Sequence, residues 1–303
     1  MSAIDVSVVI PVYNSAGVVG ETIGRTATCL DGLGVRYEIV AVNDGSTDGS
    51  WAVLESLARA RRDVVAIDLA RNCGQHAALV CGLCRSRGRL VVTMDDDLQN
   101  PPEEIPVLLA KAAEGHDVVF GRFRRKRHGW ARRAGALVVR GLDRFLFGAP
   151  RGVVGSNFRV MRREVVERIC RHPTPYPYVR GLAFFYAARP ANAWVEHHPR
   201  RHGRSGYGAR QLALFVWRIV AGHAGLRAGA IARAGVVVAL AGAGVAMASG
   251  RGPVGGVGLA RRAAAVCVGG GVGLSLLAAV AAARARGARV PAIPVREVVE
   301  GGG

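Results

Sequence analysis

Short apolar runs that alternate with segments of helical length constrain the fold of this chain most strongly. The runs are residues 6–10, 37–42, 64–69, 90–94 and 117–120. The segments between them have helical periodicity, which is clearest at residues 51–59 and 105–113. Strand–helix alternation of this kind predicts an α/β fold with a doubly wound, mostly parallel sheet.

The chain is strongly basic, since its 303 residues include 41 basic and 22 acidic ones and carry a formal net charge of +19. This excess favours partners that carry phosphate groups or an anionic membrane surface. Basic clusters at residues 122–133 and 197–204 would also suit a nucleic acid. Nucleic-acid binding does not account for the ordered acidic motifs described below, so we expect no nucleic-acid partner.

Two long runs with almost no charge predict a membrane anchor. Residues 263–283 contain no charge and would form a helix about 31 Å long, which matches a hydrocarbon core of roughly 30 Å. Residues 228–250 carry only Arg233. We predict a cytoplasmic domain at 1–207, an amphipathic interfacial helix at 208–227, a two-helix transmembrane hairpin at 228–283 and a cytoplasmic tail at 284–303. A buried helical hairpin of a soluble protein is the alternative.

The placement of the cysteines predicts reduced thiols rather than a metal site. Cys81 and Cys84 have a suggestive spacing, but the second pair that a zinc site needs is missing. We interpret both as small apolar residues of a helix. Because the first strand begins at Val6, we expect no signal peptide and a cytoplasmic N-terminal region with reduced cysteines.

Three adjacent carboxylates, Asp95, Asp96 and Asp97, follow the predicted strand at residues 90–94. Like charges this close repel each other, so we expect a cation among them. Hard carboxylate oxygens suit Mg²⁺ or Mn²⁺, and ligands of open α/β sheets bind at the carboxyl ends of the strands. A solvated acidic turn before Pro101 is the alternative.

A second polar motif, residues 43–49, follows the predicted strand at residues 37–42. Gly45 permits a sharp turn, and Ser46, Thr47 or Asp48 is able to cap the helix that starts near Trp51. Asp44 is placed to accept a hydrogen bond from a base or a ribose. An ordinary strand–helix turn is the alternative for this motif alone, and no Gly-rich phosphate fingerprint follows the first strand.

Together the motifs resemble those of family 2 glycosyltransferases of the GT-A fold. The matching segments are VVIPVYN at 8–14, VNDGSTD at 42–48, RNCGQ at 71–75 and MDDDLQNPPE at 94–103. The last is similar to the D-x-D-L-Q-x-P-P-E run of the dolichol-phosphate mannose synthase-like branch, which includes bacterial undecaprenyl-phosphate sugar transferases. The downstream R-x-x-G-x-S-x-Y pattern of that branch matches Arg200, Gly203, Ser205 and Tyr207.

The resemblance implies a donor site for a nucleotide sugar at the carboxyl edge of the sheet. It implies that Asp44 binds the base and that Pro11 and Tyr13 shape the pocket. The expected nucleotide-sugar-binding residues are Pro11, Tyr13, Asn14, Asp44, Gly45, Ser46, Gln75, Asp95 and Asp96. The implied cofactor is Mg²⁺ or Mn²⁺, and its expected ligands are Asp95, Asp97 and Gln99.

The resemblance also implies a site for the phosphate of the acceptor. Its expected residues are Arg122, Arg124, Ser156, Arg159, Arg200 and Ser205. Asp95, Asp97 and Arg200 form the expected catalytic set. Some relatives have a carboxylate base where this chain has Val153 and Val154. A phosphate monoester, with a second pKa near ~6, is largely ionised without a base, whereas an alcohol needs one, so this absence favours a phosphate acceptor.

We therefore predict a membrane-anchored, inverting glycosyltransferase that moves a sugar from a nucleotide sugar to an undecaprenyl or decaprenyl phosphate. The predicted location is the plasma membrane, with several spans and a cytoplasmic catalytic domain. One alternative keeps the donor chemistry and changes the acceptor to a non-phosphate lipid or a glycan. A remote alternative is a non-catalytic basic protein that binds membranes. A homo-oligomer is left open.

Overall fold

A computed structural model of the chain describes residues 4–123, 130–198, 209–223 and 293–301. Two compact units are present. The first consists of Met1–His172, Tyr176–Leu212 and Pro291–Gly303. The second consists of Pro173–Pro175 and Ala213–Val290, and within it the hydroxyl of Thr174 donates a hydrogen bond to the carbonyl of Gly222 at 3.3 Å. The fold and the site described below belong to the first unit.

Eight strands and eight helices are present in the described residues. The strands are β1 Val6–Val12, β2 Tyr37–Asn43, β3 Val64–Leu69, β4 Leu90–Thr93, β5 Val118–Phe123, β6 Arg159–Arg162, β7 Pro190–Val195 and β8 Val295–Glu300. The helices are α1 Val19–Gly32, α2 Ser50–Ala60, α3 Gln75–Arg85, α4 Ile105–Ala113, α5 Trp130–Phe147, α6 Arg163–Arg171, α7 Val179–Tyr186 and α8 Ala209–His223. A short 3₁₀ turn, Pro102–Glu104, precedes α4.

The strands form one sheet in the order β7-β5-β6-β4-β1-β2-β3-β8. Strands β4, β1, β2 and β3 are mutually parallel, and β5 is parallel to β7. Strand β6 runs antiparallel to both β4 and β5, and β8 runs antiparallel to β3. The predicted α/β class with a Rossmann-like sheet is confirmed, and its parallel core carries the ends of β1, β2 and β4 to one edge.

Helices cover both faces of the sheet, which is why β1 is buried along its whole length. One face packs against α1, α2 and α4 through buried residues that include Ile23, Leu54 and Leu108. On the other face Gly82 of α3 lies directly on Val9, and any side chain at that position would overlap it. This close packing holds α3 against β1.

The apolar runs that predicted strands end at residue 120, whereas the structure places α5, β6, α6, α7 and β7 after this position. The apolar pattern was masked because β6 is only four residues long and has an arginine at each end. The predicted tail also contains an ordered strand, β8, which is rich in charge and pairs with β3. Residues 291–303 accordingly belong to the first unit.

Helix α8 falls within the segment 208–227 that was expected to be helical, and its location on a membrane surface stays a prediction. The two predicted spans at residues 228–283 lie outside the described residues. In the part of the chain that the structure describes, the helices are too short or too polar to cross a bilayer.

Cys81 and Cys84 both lie on α3, as the interpretation of a helical pair required. Cys81 is a buried free thiol, but Cys84 forms a disulfide with Cys170 of α6, with the two Cα atoms 5.7 Å apart. The expectation of reduced cysteines is therefore wrong for this pair. No local pattern indicates this disulfide, because 86 residues separate the two cysteines.

Strand β8 is tied to the carboxyl edge of the sheet by Arg296. Its guanidinium donates hydrogen bonds to Asp68 Oδ2 at 3.2 Å and to the carbonyl of Ala70 at 3.1 Å. Asp68 is buried and also accepts a hydrogen bond from Asn43 Nδ2 at 2.7 Å. The last strand of the chain thus supports the residue that directly precedes Asp44.

We predict that Arg296→Ala lowers the free energy of unfolding by about 1–3 kcal/mol, because it removes a charged partner of a buried carboxylate. A urea titration followed by circular dichroism measures the change. Glu297→Gln, on an exposed neighbour in the same strand, is the control and should change the free energy by less than about 0.5 kcal/mol. Equal stability of Arg296→Ala and wild type would contradict the tethering role.

Candidate active site

The acidic cluster Asp95–Asp97 lies directly after β4, at the carboxyl edge of the sheet. The side-chain amide of Gln75, the first residue of α3, donates a hydrogen bond to Asp95 Oδ1 at 2.6 Å. The amide of Asn157, just before β6, donates to the same oxygen at 3.3 Å. Burial and the neighbouring charges of Asp97 and Asp96 raise the pKa of Asp95 to about 6.

The other two carboxylates of the cluster are held by nearby backbone groups. Asp96 Oδ2 accepts a weak hydrogen bond from the backbone N–H of Tyr13 at 3.4 Å, which joins the cluster to the end of β1. Asp97 Oδ1 accepts a hydrogen bond from the N–H of Gln99 at 3.1 Å. The carbonyl of Gln99 in turn accepts the N–H of His198 at 2.9 Å, so the segment after β7 lies beside this loop.

The chemistry of the cluster fits a hard divalent cation. Its donors are carboxylate oxygens, and burial, followed by the negative charges of Asp97 and Asp96, raises the pKa of Asp95 despite its hydrogen-bond donors. Across the described ranges, no three His, Cys, Asp or Glu side chains are arranged to hold a metal on their own. Mg²⁺ commonly binds one or two carboxylates together with water and substrate phosphates, so such a site needs a phosphorylated ligand for completion.

Asp44 is almost fully buried, with 3% of its surface exposed, and its two oxygens accept the backbone N–H groups of Cys73 and Gly74 at 2.6 and 2.9 Å. Burial raises the pKa of Asp44, and these two hydrogen bonds act in the opposite direction. The carboxylate therefore holds the loop that leads into α3. Gly45 has φ +64° and lies against the backbone of Arg71, so it has no room for a side chain.

Hydrogen bonds join the motif at residues 8–14 to the motif at residues 42–48, at the same edge of the sheet. The N–H of Asn14 donates to Ser46 Oγ at 3.0 Å, and Asn14 Oδ1 accepts the N–H of Thr47 at 2.8 Å. Pro11 is buried in β1, whereas Tyr13 is 50% exposed. The expected nucleotide-sugar-binding residues thus form one hydrogen-bonded edge, with the ring of Tyr13 at its surface.

The expected acceptor side is built around the loop between α5 and β6. Asn192 of β7 fastens this loop by accepting the N–H of Val154 and donating to its carbonyl, both at 2.8 Å. Ser156 Oγ donates to the carbonyl of Phe158 at 2.6 Å. Arg122 of β5 lies over the ring of Trp194 of β7. Its guanidinium carbon is 4.4 Å from the ring centre, and Trp194 is 50% exposed.

Arg159 differs from what the sequence analysis expected of an acceptor-binding residue, because its side chain is 0% exposed. Its Nε donates to Thr93 Oγ1 at 3.1 Å, and Thr93 Oγ1 donates to the carbonyl of Asn157 at 2.6 Å. Burial, followed by the positive charge of Arg180, lowers the pKa of Arg159 to about 10. Arg159 therefore lies beneath the loop that carries Asn157.

The remaining expected residues, Arg124, Arg200 and Ser205, lie outside the described residues. The sequence analysis overlooked three side chains that build the site, namely Asn157, Asn192 and Trp194. Asn157 adjoins Ser156, so the G-S-N-F-R segment carried a signal for it. Asn192 and Trp194 stand in no motif, and only the pairing of β5 with β7 brings them to the site.

Comparison with known proteins gives a family model that matches this chain and curated proteins that are similar to it. A family model described as Glycosyl transferase family 2 matches residues 7–170. The undecaprenyl-phosphate 4-deoxy-4-formamido-L-arabinose transferase of Edwardsiella ictaluri is 40% identical over 217 residues, which cover 71% of this chain and 66% of that protein. The chain thus spans just under two thirds of the length of this relative.

Crystal structures of glucosyl-3-phosphoglycerate synthase from Mycobacterium tuberculosis share the fold. One complex, with Mn²⁺, UDP-glucose and phosphoglyceric acid, has a TM-score of 0.54 at 20% identity, covering 72% of this chain and 79% of that chain. Another, with Mn²⁺, UDP and phosphoglyceric acid, has a TM-score of 0.53 at 22% identity, covering 72% and 76%. The family model matches residues 7–170, which are more than half of this chain, and the chain therefore belongs to glycosyl transferase family 2.

Proposed function

We propose that the protein is a membrane-anchored, inverting glycosyltransferase that moves a sugar from a nucleotide sugar to a polyprenyl phosphate. One observation carries the proposal: the Asp95–Asp97 cluster, the Asp44 loop and the end of β1 meet through hydrogen bonds at one edge of the sheet. This edge is where open α/β sheets bind their ligands. The name of the curated relative supports a polyprenyl-phosphate acceptor.

The donor site serves a leaving group with concentrated negative charge. Asp95 and Asp97, with the side chain of Gln99, would hold Mg²⁺ or Mn²⁺. That ion supplies Lewis-acid stabilisation to the departing diphosphate. Gln75 and Asn157 orient Asp95 by their hydrogen bonds, and Tyr13 offers an exposed ring against which a base packs.

The acceptor chemistry follows from the loop between α5 and β6. Val153 and Val154 supply no carboxylate, so the nucleophile must arrive ionised, as a phosphate oxygen does. Arg122 and Ser156 lie on the two elements that Asn192 joins, and they would bind this phosphate. Arg200 follows His198 by two residues, and we assign it the same role because His198 is hydrogen-bonded beside the acidic loop.

The reaction then forms a bond between the acceptor phosphate oxygen and the anomeric carbon, and it breaks the bond from that carbon to the diphosphate. The electron pair of the broken bond leaves with the nucleoside diphosphate. With acceptor and leaving group on opposite faces of the sugar, configuration inverts in a transition state of oxocarbenium character.

Strand β8 supports the proposed anchor by its connectivity. It follows the predicted spans at residues 228–283 in sequence, yet it pairs with β3 in the same sheet as β1. Chain segments before and after the spans must therefore lie on one side of a membrane, which requires an even number of crossings. Two spans meet this condition, and we propose a plasma-membrane protein with its catalytic domain in the cytoplasm.

We predict that Asp97→Asn lowers the rate of sugar transfer roughly 100-fold or more, because it removes a negatively charged ligand from the proposed cation site. Purified full-length protein is assayed with a short-chain polyprenyl phosphate, Mn²⁺ and a panel of nucleotide sugars. Glu114→Gln is the control, since this exposed carboxylate lies at the opposite edge of the sheet. Undiminished transfer by Asp97→Asn would exclude the metal assignment.

We also predict that Asp44→Ala weakens UDP binding at least about tenfold, because the N–H groups of Cys73 and Gly74 lose their acceptor and the loop into α3 loosens. Calorimetric titration with UDP and Mn²⁺ measures affinity. Hydrogen exchange at the same two amides should become faster in the variant. Protected amides together with unchanged UDP affinity would show that Asp44 has no part in the donor site.

A further inference from the structure

A second basic side chain, Arg180 of α7, lies against the loop that carries Ser156. A Cβ atom added to Gly155 would lie 2.7 Å from Arg180 Cδ and 2.8 Å from Phe184 Cε2, so only glycine allows this approach. The side chain of Arg180 is 21% exposed, in contrast to the fully enclosed Arg159. Arg180 therefore reaches the loop from beneath and remains open to a ligand.

Buried partners fix the direction of the Arg180 guanidinium. One terminal nitrogen pairs with Asp143 Oδ2 at 3.2 Å, and the Asp143 side chain is 4% exposed. The hydroxyl of Tyr178 donates to the other oxygen of Asp143 at 3.0 Å. The guanidinium carbon lies 5.3 Å from the centre of the Tyr178 ring. Asp143 and Tyr178 thus orient a charged group that remains partly exposed.

Two guanidinium groups, of Arg159 and Arg180, lie close together beneath the loop. Burial and then the charge of Arg180 lower the pKa of Arg159, and the carboxylates of Asp95 and Asp143 offset this effect only in part. Within the described ranges, the terminal nitrogens of Arg159 and the Nε of Arg180 are buried and have no hydrogen-bond partner. Buried donors without acceptors are costly, and the negative charge of an anion bound at the exposed side of Arg180 would lower this cost.

We propose that Arg180 is a phosphate-binding residue of the acceptor site, supported from behind by the positive charge of Arg159. The inference rests on the proposed function, in which two anionic reactants meet. Since we assign the diphosphate of the donor to the Asp95–Asp97 cluster, an anion bound beside Ser156 would be the phosphate of the acceptor. A guanidinium suits phosphate because its planar N–H groups match two oxygens at once.

Calorimetric binding of a short-chain prenyl phosphate to the full-length protein, with UDP and Mn²⁺ present, tests the proposal. Arg180→Gln should weaken this binding about 10- to 100-fold and leave the affinity for UDP and Mn²⁺ unchanged. Arg59→Gln is the matched control, because this exposed arginine lies in the last turn of α2, at the far edge of the sheet. The prenyl alcohol, which lacks the phosphate, should bind neither protein.

Equal prenyl-phosphate affinity of Arg180→Gln and wild type would overturn the assignment of Arg180. Failure of the wild type to bind prenyl phosphate would instead overturn the proposed function. If Arg180→Gln does not fold, the Nε–H resonance of Arg180 in the wild type, assigned by comparison with Arg180→Lys, provides the test. Its chemical shift should change when prenyl phosphate is added and stay the same when the alcohol is added. An unchanged chemical shift with prenyl phosphate would overturn the assignment.

Discussion

Repulsion among the three carboxylates that follow β4 is the constraint around which the site is built. Strand β4 lies between β1 and β6 in the sheet, so its end emerges among groups from several elements. The amides of Gln75 and Asn157 and the N–H of Tyr13 all point at this negative charge. Neutral donors reduce the repulsion only in part, and the pKa of Asp95 stays raised to about 6. The proposed cation would compensate the remaining negative charge.

Positive charge accumulates a short way from this cluster, under the loop between α5 and β6. Arg159 and Thr93 connect the two regions, because Thr93 accepts from Arg159 and donates to the carbonyl of Asn157. Asn157 in turn contacts Asp95. One short hydrogen-bonded path therefore separates the proposed cation site from the proposed acceptor site. The proposed transfer of a sugar between two phosphate-bearing molecules would use this arrangement, since each negative group needs its own compensation.

The parallel half of the sheet and the position of the acidic cluster were predictable. Both depend on local features of the sequence, namely the apolar runs and the polar motifs that directly follow them. The role of Asp44 in holding the loop at Cys73 and Gly74 was not, since the sequence analysis expected a contact with the base. Arg180 and Trp194 belong to no motif and reach the site through tertiary packing alone. Strand β8 was hidden by its charged residues and by its distance in sequence from β3.

The proposed reaction depends on a divalent cation and a nucleoside diphosphate that bind together at the end of β4. A crystal structure of the full-length protein grown with Mn²⁺ and UDP, with anomalous scattering recorded at the manganese edge, would reveal both ligands. We expect one strong anomalous peak in contact with both Asp97 and the diphosphate, with the uracil near Tyr13. Bound UDP with no manganese at the acidic cluster, or manganese at a distant site, would contradict it.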